Sequence, residues 1–216
     1  MSLALAAGAP TAALAAGTTV SVRVEGLTKT LLATKVVQTH SGAIRTGGTP
    51  AGACPATTAA GALDVATAHR WSGTYGTYGL SVTQIFGETH TFTSKDYWSI
   101  WVDNKFATAG ICSLKLHRGE HLLFAAVPIK GTEFPIVISG PKHAAAGRSF
   151  TLKVSYINAK GAVKPVAGAR VHGSGASGVT NAAGTVSVTA THKGMLAYTA
   201  AKTGFIRSAA VTVRVG

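Results

Sequence analysis

Short runs of alternating apolar and polar residues, separated by glycine-containing turns, constrain the fold of this chain more than any other feature. In residues 18–26, Val20, Val22 and Val24 alternate with polar side chains, which predicts a strand with one buried face. Residues 30–37, TLLATKVV, follow as its hairpin partner. Six or seven similar runs come after residue 135, and this spacing is typical of a β-sandwich. The 26 glycines and the 12% share of charged residues also favour a mostly β protein.

One segment has helical periodicity instead. Residues 57–70 repeat apolar side chains, among them Leu63 and Ala66, at three- and four-residue spacing. Thr57 or Thr58 can cap the first turn. The first part of the chain is therefore predicted to be α+β, with strands on both sides of this helix.

The charge of the chain changes sharply near residue 134. All seven acids precede it and face ten Lys and Arg, a net charge of +3, whereas residues 134–216 carry ten Lys and Arg and no acid, a net charge of +10. The segment PIKGTEFP, residues 128–135, places two prolines and a glycine at this change, as is typical of a domain boundary. We predict a leader at 1–17, a first domain at 18–128, a linker at 129–135 and a second domain at 136–216.

The acid-free second domain is predicted to attract a polyanionic neighbour, such as an anionic cell-wall polymer or an acidic polysaccharide. Simple solubility is the alternative explanation of its charge. Nucleic acid is not expected, because no base-reading motif accompanies the charge. The candidate polyanion-binding residues are Lys142, Arg148, Lys153, Lys160, Lys164, Arg170, Lys193, Lys202, Arg207 and Arg214.

The first 17 residues indicate export. They contain no charged residue and include Ala13-Leu14-Ala15, an A-x-A pattern typical of signal-peptide cleavage, but no basic residue precedes Arg23. A flexible alanine-rich leader is the alternative. No other segment approaches the roughly 18 consecutive apolar residues of a membrane-spanning helix. We predict a secreted or cell-surface protein without a membrane span.

Two cysteines, Cys54 and Cys112, favour one disulfide in an exported chain, and two free thiols are the alternative. Cys54 lies in residues 40–57, a Gly-, Pro- and Thr-rich segment that is predicted to be a long loop. A disulfide would therefore anchor an otherwise mobile part of the chain.

Residues 117–121, HRGEH, carry the H-x-x-E-H pattern that binds zinc in one group of metallopeptidases. Such a site needs both imidazoles on one face of a helix. Gly119 lies at its centre, and the alternation in ICSLKL, residues 111–116, favours a strand, so we predict a hairpin with EHLLFAAV, residues 120–127. An incidental histidine–metal contact is the alternative. A third ligand would have to be Glu133, the only carboxylate after the motif, or one of His143, His172 and His192, each in a Gly-rich turn segment. With no nucleotide-binding or nucleophile motif present, no metal, cofactor or enzymatic activity is predicted.

Aromatic residues concentrate in the first domain. In the strand predicted within DYWSIWVDN, residues 96–104, both faces carry a ring. Core packing explains this pattern, and the alternative is a stacking platform for a planar ligand or a sugar. The candidate stacking residues are Trp71, Trp98 and Trp101.

Residues 19–127 resemble a family of secreted bacterial proteins that carry a transcobalamin-like C-terminal domain, a domain of unassigned function. The matching segments are VSVRVEG, the cysteine before TTAAGALDVATA, WSGTY, YWSIWVDNKFATAGIC and LHRGEHLLFA. The resemblance implies pairing of Cys54 with Cys112 and a β-grasp-like sheet crossed by one helix. In vitamin carriers the related domain covers one face of cobalamin while a helical domain holds most of the ligand, and these 216 residues contain no such helical domain.

The second domain resembles bacterial immunoglobulin-like or carboxypeptidase-regulatory-like β-sandwich modules through PVAGARVHG, residues 165–173, and VTNAAGTVSV, residues 179–188. Such modules are spacers or adhesive surfaces. Together these patterns predict a secreted, non-catalytic binding or adhesion protein of the cell envelope. The alternative is a soluble module that binds a small ligand, either a corrinoid-like cofactor or a sugar, on an aromatic platform.

Overall fold

Strands dominate the regular structure, which confirms the prediction of a mostly β protein. The computed structural model describes residues 17–45, 50–131, 133–173 and 176–216, so the predicted leader lies, apart from Gly17, outside the described part. In that part the chain forms eighteen strands and one helix. That helix is not long and apolar enough to cross a membrane.

The first half of the chain builds one large sheet, one small sheet and the helix. Their bounds are β1 Thr19–Glu25, β2 Thr30–Gln38, α1 Ala59–Thr67, β3 Trp71–Gly76, β4 Gly79–Ile85, β5 Glu88–Thr89, β6 Asp96–Val102, β7 Lys105–Phe106 and β8 His121–Pro128. The large sheet has the strand order β2-β1-β8-β6-β7, and the small sheet has the order β3-β4-β5. In the large sheet, β1 and β8 are parallel and the other neighbours are antiparallel. This is the strand arrangement of a β-grasp sheet.

The helix and the small sheet cover one face of the large sheet. Val20, Val22 and Val24 of β1 point into this first core, where they meet Leu63 of α1 and Ile85 of β4. All five side chains are almost fully buried. Burial of each contributes roughly 1.5–3 kcal/mol, so the alternation read from the sequence identifies one face of β1 correctly.

The segment ICSLKL, predicted to be a strand, is instead a turn that supports the helix. The amides of Ala59 and Ala60, in the first turn of α1, donate to the carbonyls of Leu114 and Ile111 at 3.1 and 3.3 Å. The carbonyls of Ile111 and Leu114 therefore satisfy helix amides that lack an intrahelical partner, and these two carbonyls do not pair with β8. Thr58 occupies the N-cap position as predicted, but its hydroxyl donates to the Pro55 carbonyl and caps no helical amide.

The predicted disulfide is present. Cys54 and Cys112 are bonded, with their Cα atoms 4.6 Å apart and a separation of 58 positions in sequence. Closing a loop of this length stabilises the fold by about 4 kcal/mol in the chain-entropy description. The bond ties the loop before α1 to the turn whose carbonyls accept hydrogen bonds from the first helical amides.

The second half forms two sheets packed face to face. Their strands are β9 Phe134–Ser139, β10 His143–Ala144, β11 Ser149–Ile157, β12 Val163–Pro165, β13 Arg170–Gly173, β14 Ala176–Val179, β15 Thr185–Thr189, β16 Gly194–Ala201, β17 Phe205–Ile206 and β18 Val211–Val215. One sheet has the order β10-β18-β16-β13-β14, and the other has the order β12-β11-β9-β17 with β15 also paired to β11. Leu152, Val154, Val171, Tyr198 and Val213 fill the space between them and are all 0% exposed. β9 begins inside the segment 129–135 that was predicted as a linker.

The two halves meet across the second face of the large sheet. A small core of Trp101, Leu123, Ala125 and Val127 from the first half packs around Ile206 from the second. Strand β1 is therefore buried on both faces, and the prediction of a half-buried strand is wrong, because the sandwich covers the face that the alternation left to solvent.

Candidate functional site

The HRGEH segment forms a tight turn. Gly119 has a φ of +89°, a conformation that glycine adopts without strain. The amide of Glu120 donates to the carbonyl of His117 at 3.2 Å. In return, the Glu120 carboxylate accepts the backbone amide of His117 at 2.8 Å and lies 2.9 Å from its Nδ1 atom. Glu120 thus closes the turn with both of its carboxylate oxygens.

His121 leaves this turn and begins β8, where its partners differ from those of His117. Its Nδ1 lies 2.6 Å from Oγ of Ser21, and its amide donates to Oδ1 of Asp103 at 3.0 Å. The two imidazoles of the motif are therefore held by separate groups. Across the described ranges, no cluster of three or more His, Cys, Asp or Glu side chains is placed to hold a metal ion.

The three candidate stacking tryptophans are packed inside the protein. Trp71 and Trp98 lie in the core beneath α1, whereas Trp101 lies on the opposite face of the sheet, and each is at most 5% exposed. The indole nitrogen of Trp71 donates to Oδ1 of Asp64 at 2.8 Å, and that of Trp101 donates to Oγ of Ser99 at 2.9 Å. The three rings do not form one exposed platform, and core packing accounts for a ring on each face of β6.

The ten candidate cations of the second half are spread over its surface. Eight are exposed, and Lys202 and Arg207 are partly buried. Within the described ranges, Arg207 alone among the ten forms an ion pair with a carboxylate. Since no acid follows Glu133 in the sequence, the second half supplies no Asp or Glu side chain to neutralise the other nine charges.

Four of these cations are brought to one end of the sandwich by backbone hydrogen bonds. The amide of Arg214 donates to the carbonyl of Lys142 at 3.0 Å. The amide of Gly147 donates to the carbonyl of Ala190 at 2.9 Å, which joins the loop of Arg148 to the loop of Lys193. All four side chains are exposed. We call this set the basic end, and it consists of Lys142, Arg148, Lys193 and Arg214.

Three further cations line a groove of about 750 Å³ where the halves meet, namely Arg170, Lys202 and Arg207. The ammonium group of Lys202 donates to a backbone carbonyl at 2.6 Å. Glu133 lines the same groove, where burial raises the pKa of its carboxyl group and the charge of Arg207 acts in the opposite direction. The groove therefore joins three cations to one carboxylate and is less basic than the basic end.

A buried charge network joins the two halves, and the sequence prediction missed it. Nη1 of Arg23 donates to Oε1 of Glu25 at 2.6 Å and to the backbone carbonyl of Arg207 at 2.9 Å. Arg207 donates through Nε to Oε2 of Glu25 at 2.9 Å and through Nη2 to the carbonyl of Gly26 at 2.7 Å. Arg23 and Glu25 are only 7% and 1% exposed. Two guanidinium groups thus share one carboxylate, and the network keeps an excess positive charge.

A cavity of about 430 Å³ lies beside this network, and we call it the junction cavity. Ser21, Arg23, Thr34 and His121 line it from the first half, and Ile136, Ile138, Ala209 and Ala210 line it from the second. Burial lowers the pKa of Arg23, because a charged guanidinium is poorly solvated there, while Glu25 opposes this shift. The cavity therefore has one polar, cationic wall and one apolar wall.

Another cavity, of about 460 Å³, also lies where the two halves meet, and we call it the aromatic groove. Trp101, Phe106 and Phe134 line it together with Asn104 and Asn158. The ring of Trp101 lies 5.2 Å from that of Phe106 and 6.0 Å from that of Phe134, centre to centre. Phe106 is 52% exposed, so an aromatic face is open to solvent here.

Comparison with known proteins leaves the family of this chain open. No family model and no curated protein matches it. Among solved structures, it is similar to a proposed metal-binding protein from Ruminococcus gnavus, at 14% identity and a TM-score of 0.37 over 51% of this chain and 97% of that one. It is also similar to red sea bream transglutaminase, at 19% identity and a TM-score of 0.26 over 45% of this chain and 16% of the enzyme. At these scores neither likeness assigns a fold or a function.

Proposed function

We propose that this protein is a secreted, non-catalytic binding protein that holds polyanionic polymers of the cell envelope on the second half of its chain. The observation that carries the proposal is that nine of the ten cations after residue 134 form no ion pair with a carboxylate in the described part of the chain. Exposed cations of this kind attract a polyanion, and counterions released from the polymer favour its binding.

The basic end is the proposed centre of this interaction. Its four exposed cations lie on adjoining loops and a strand end, so a flexible anionic chain can contact several of them at once. Contacts between exposed charges are weak singly and are screened by salt. Binding is therefore expected to depend on their number and to fall steeply as the salt concentration rises.

The test compares two variants of equal charge. One carries Lys142→Gln, Arg148→Gln, Lys193→Gln and Arg214→Gln at the basic end. The matched control carries Lys95→Gln, Lys115→Gln, Arg118→Gln and Lys130→Gln, which removes four exposed cations from outside the second half. Binding of each to purified teichoic acid, and to heparin as a second polyanion, is measured over a range of salt concentrations.

We expect the basic-end variant to lose affinity and to show a shallower dependence on salt, by about one in the logarithmic slope for each contact removed. The matched control should keep most of its affinity and most of its salt dependence. Equal losses in the two variants would mean that only net charge matters, and binding that does not respond to salt would contradict the proposal.

Export and the lack of catalysis belong to the same proposal. The disulfide supports an oxidising, extracellular location. The turn-closing contacts of Glu120 support a non-catalytic reading of the HRGEH motif. The β-grasp strand order supports the transcobalamin-like resemblance of the first half, and the packed sheets of the second support an immunoglobulin-like module.

A second candidate function is binding of a small planar ligand or a sugar in the aromatic groove. The exposed ring of Phe106 beside Trp101 favours it, because aromatic faces stack on such ligands. Tryptophan fluorescence during titration with sugars and cobalamin tests it. Quenching that disappears in Phe106→Ala would support this function, and unchanged fluorescence with every ligand would exclude it.

A further inference from the structure

We propose that the junction cavity binds a small organic anion, with its carboxylate or phosphate head at Arg23 and its apolar body against the second half. This site is separate from the surface that is proposed to hold polymers. It would make the first half and the sandwich jointly responsible for one ligand, since each half supplies one wall of the cavity.

The network beside the cavity carries an excess positive charge. Arg23 and Arg207 are both positive, and Glu25 is the one carboxylate bonded to them within the described ranges. Such an excess charge is costly where water is scarce, and an anion beside it lowers that cost. The network is thus electrostatically suited to receive one more negative group.

Arg23 has hydrogen-bond donors that its described bonds leave unused. The side chain of Arg23 is 8% exposed, and its described hydrogen bonds both use Nη1. Nε and Nη2 bond to no described residue, yet neither is one of the fully enclosed atoms that lack a partner. Arg23 lines the junction cavity, and the proposal places these two donors against its contents. A guanidinium presents such a pair in a geometry that matches a carboxylate or a phosphate.

Other groups in the cavity suit both ends of such an anion. His121 and Ser21, which are 2.6 Å apart, and the hydroxyl of Thr34 can add hydrogen bonds to an anionic head. On the facing side, Val137, Ala209 and Ala210 line the cavity, beside Ile136 and Ile138, which are packed into the sandwich core. A volume of about 430 Å³ falls in the range of small-molecule sites. This pairing of a cationic wall with an apolar one selects an anion that has a short apolar body.

The test is calorimetric titration of the full-length protein with four probes: inorganic phosphate, acetate, phenyl phosphate and benzoate. We expect one-to-one, saturable binding, with each aromatic probe about tenfold tighter than its small counterpart, because the ring is buried against the apolar wall. Comparison of the two aromatic probes shows whether the head is a phosphate or a carboxylate.

Two variants locate the binding. Arg23→Gln removes the proposed head contact, and Ala209→Leu fills the apolar side while leaving every charge in place. Each should abolish saturable binding, whereas Arg148→Gln, which removes a cation at the basic end, should leave it unchanged. Ala209→Leu should still bind teichoic acid, so failure here is distinguishable from failure of the polymer proposal.

Three results would overturn the inference: no saturable heat with any probe, binding that survives Ala209→Leu, or equal weakening by Arg148→Gln. Arg23→Gln could unfold the protein, and its circular dichroism and thermal melt are therefore recorded first. If it does not fold, Ala209→Leu alone decides between binding in the cavity and binding elsewhere.

Discussion

Nη2 of Arg207 lies 2.9 Å from Oε2 of Glu25, so an arginine of the sandwich is ion-paired with a glutamate on a central strand of the first half. Glu25 is almost fully buried, and Arg207 also donates to the backbone carbonyls of Gly26 and Leu27. The arginine therefore acts as a polar clamp beside the apolar contact of Ile206 with the sheet. This clamp joins the two halves by an ion pair and by hydrogen bonds to the backbone.

Removal of the clamp should lower the free energy of unfolding and allow the two halves to unfold separately. We expect Arg207→Gln to lower the free energy of unfolding by about 2–4 kcal/mol, because a buried carboxylate loses one of its two guanidinium partners. Arg214→Gln, an exposed change on the next strand, should cost less than about 0.5 kcal/mol. Urea unfolding followed by tryptophan fluorescence and by circular dichroism measures both. A single unshifted transition in Arg207→Gln would show that the clamp contributes little.

The stability of the fold should depend on pH through Glu133, which lies at the same junction. Burial raises the pKa of this carboxyl group above its ordinary value of 4.5 in the folded protein. As the pH rises through 4.5, the unfolded chain loses the proton first, so the folded state binds more protons and its stability falls. Glu133→Gln should remove this loss, and the variant should gain stability over wild type as the pH rises from 4.5 towards neutrality. Thermal melts of both proteins in a pH series test the sign, and a gain confined to lower pH would contradict it.

The periodicity of the sequence was enough to predict most of the strands but not what covers them. The alternation of Val20, Val22 and Val24 correctly identifies the face of β1 beneath the helix. The opposite face holds Arg23 and Glu25, which read as solvent-facing residues in a single strand. They are buried because the second half of the chain packs over them, and the periodicity of neither half encodes that contact. An arginine and a glutamate two residues apart in an otherwise valine-rich strand were the one available signal.

The candidate sites show the same limit. Gly119 was sufficient to predict the turn at HRGEH, since the conformation of a short turn is a local property. The segment 111–116 alternates like a strand, yet its carbonyls are engaged by α1, a contact between distant parts of the chain. The junction cavity combines residues more than 100 positions apart, such as Arg23 and Ile136. It could not be assembled from periodicity or composition.

The disulfide should contribute strongly to the stability of the first half. Replacing both Cys54 and Cys112 by serine should lower the free energy of unfolding by about 4 kcal/mol, because the unfolded chain regains the entropy that the closed loop removes. Wild type in reducing agent should behave in the same way. Urea unfolding of all three samples measures the loss, and adding reductant to the double variant is the control, since it should change nothing.

The core of the sandwich contains a hydroxyl group whose removal should raise the stability of the protein. Tyr198 is 0% exposed, and its Oη has no hydrogen-bond partner in the described part of the chain. Tyr198→Phe should therefore raise the free energy of unfolding by about 1 kcal/mol, since it removes an unsatisfied polar atom and keeps the ring that packs on Phe150. Burial also raises the pKa of this phenol above 10. Wild type should lose stability as the pH rises above 10, because the unfolded chain ionises first, and the variant should not.

The HRGEH turn gives a last prediction, on metal binding. Zinc ligation by this motif needs both imidazoles and a further donor around one ion, whereas here His117 is held by Glu120 and His121 lies against Ser21. We expect protein purified without a histidine tag to contain far less than one zinc per chain by elemental analysis, and His121→Ala to leave that content unchanged. Glu120→Gln should cost about 1 kcal/mol of stability through the weakened turn, with no change in metal content. Stoichiometric zinc that is lost in His121→Ala would mean that the turn rearranges around an ion, and the non-catalytic proposal would then have to be abandoned.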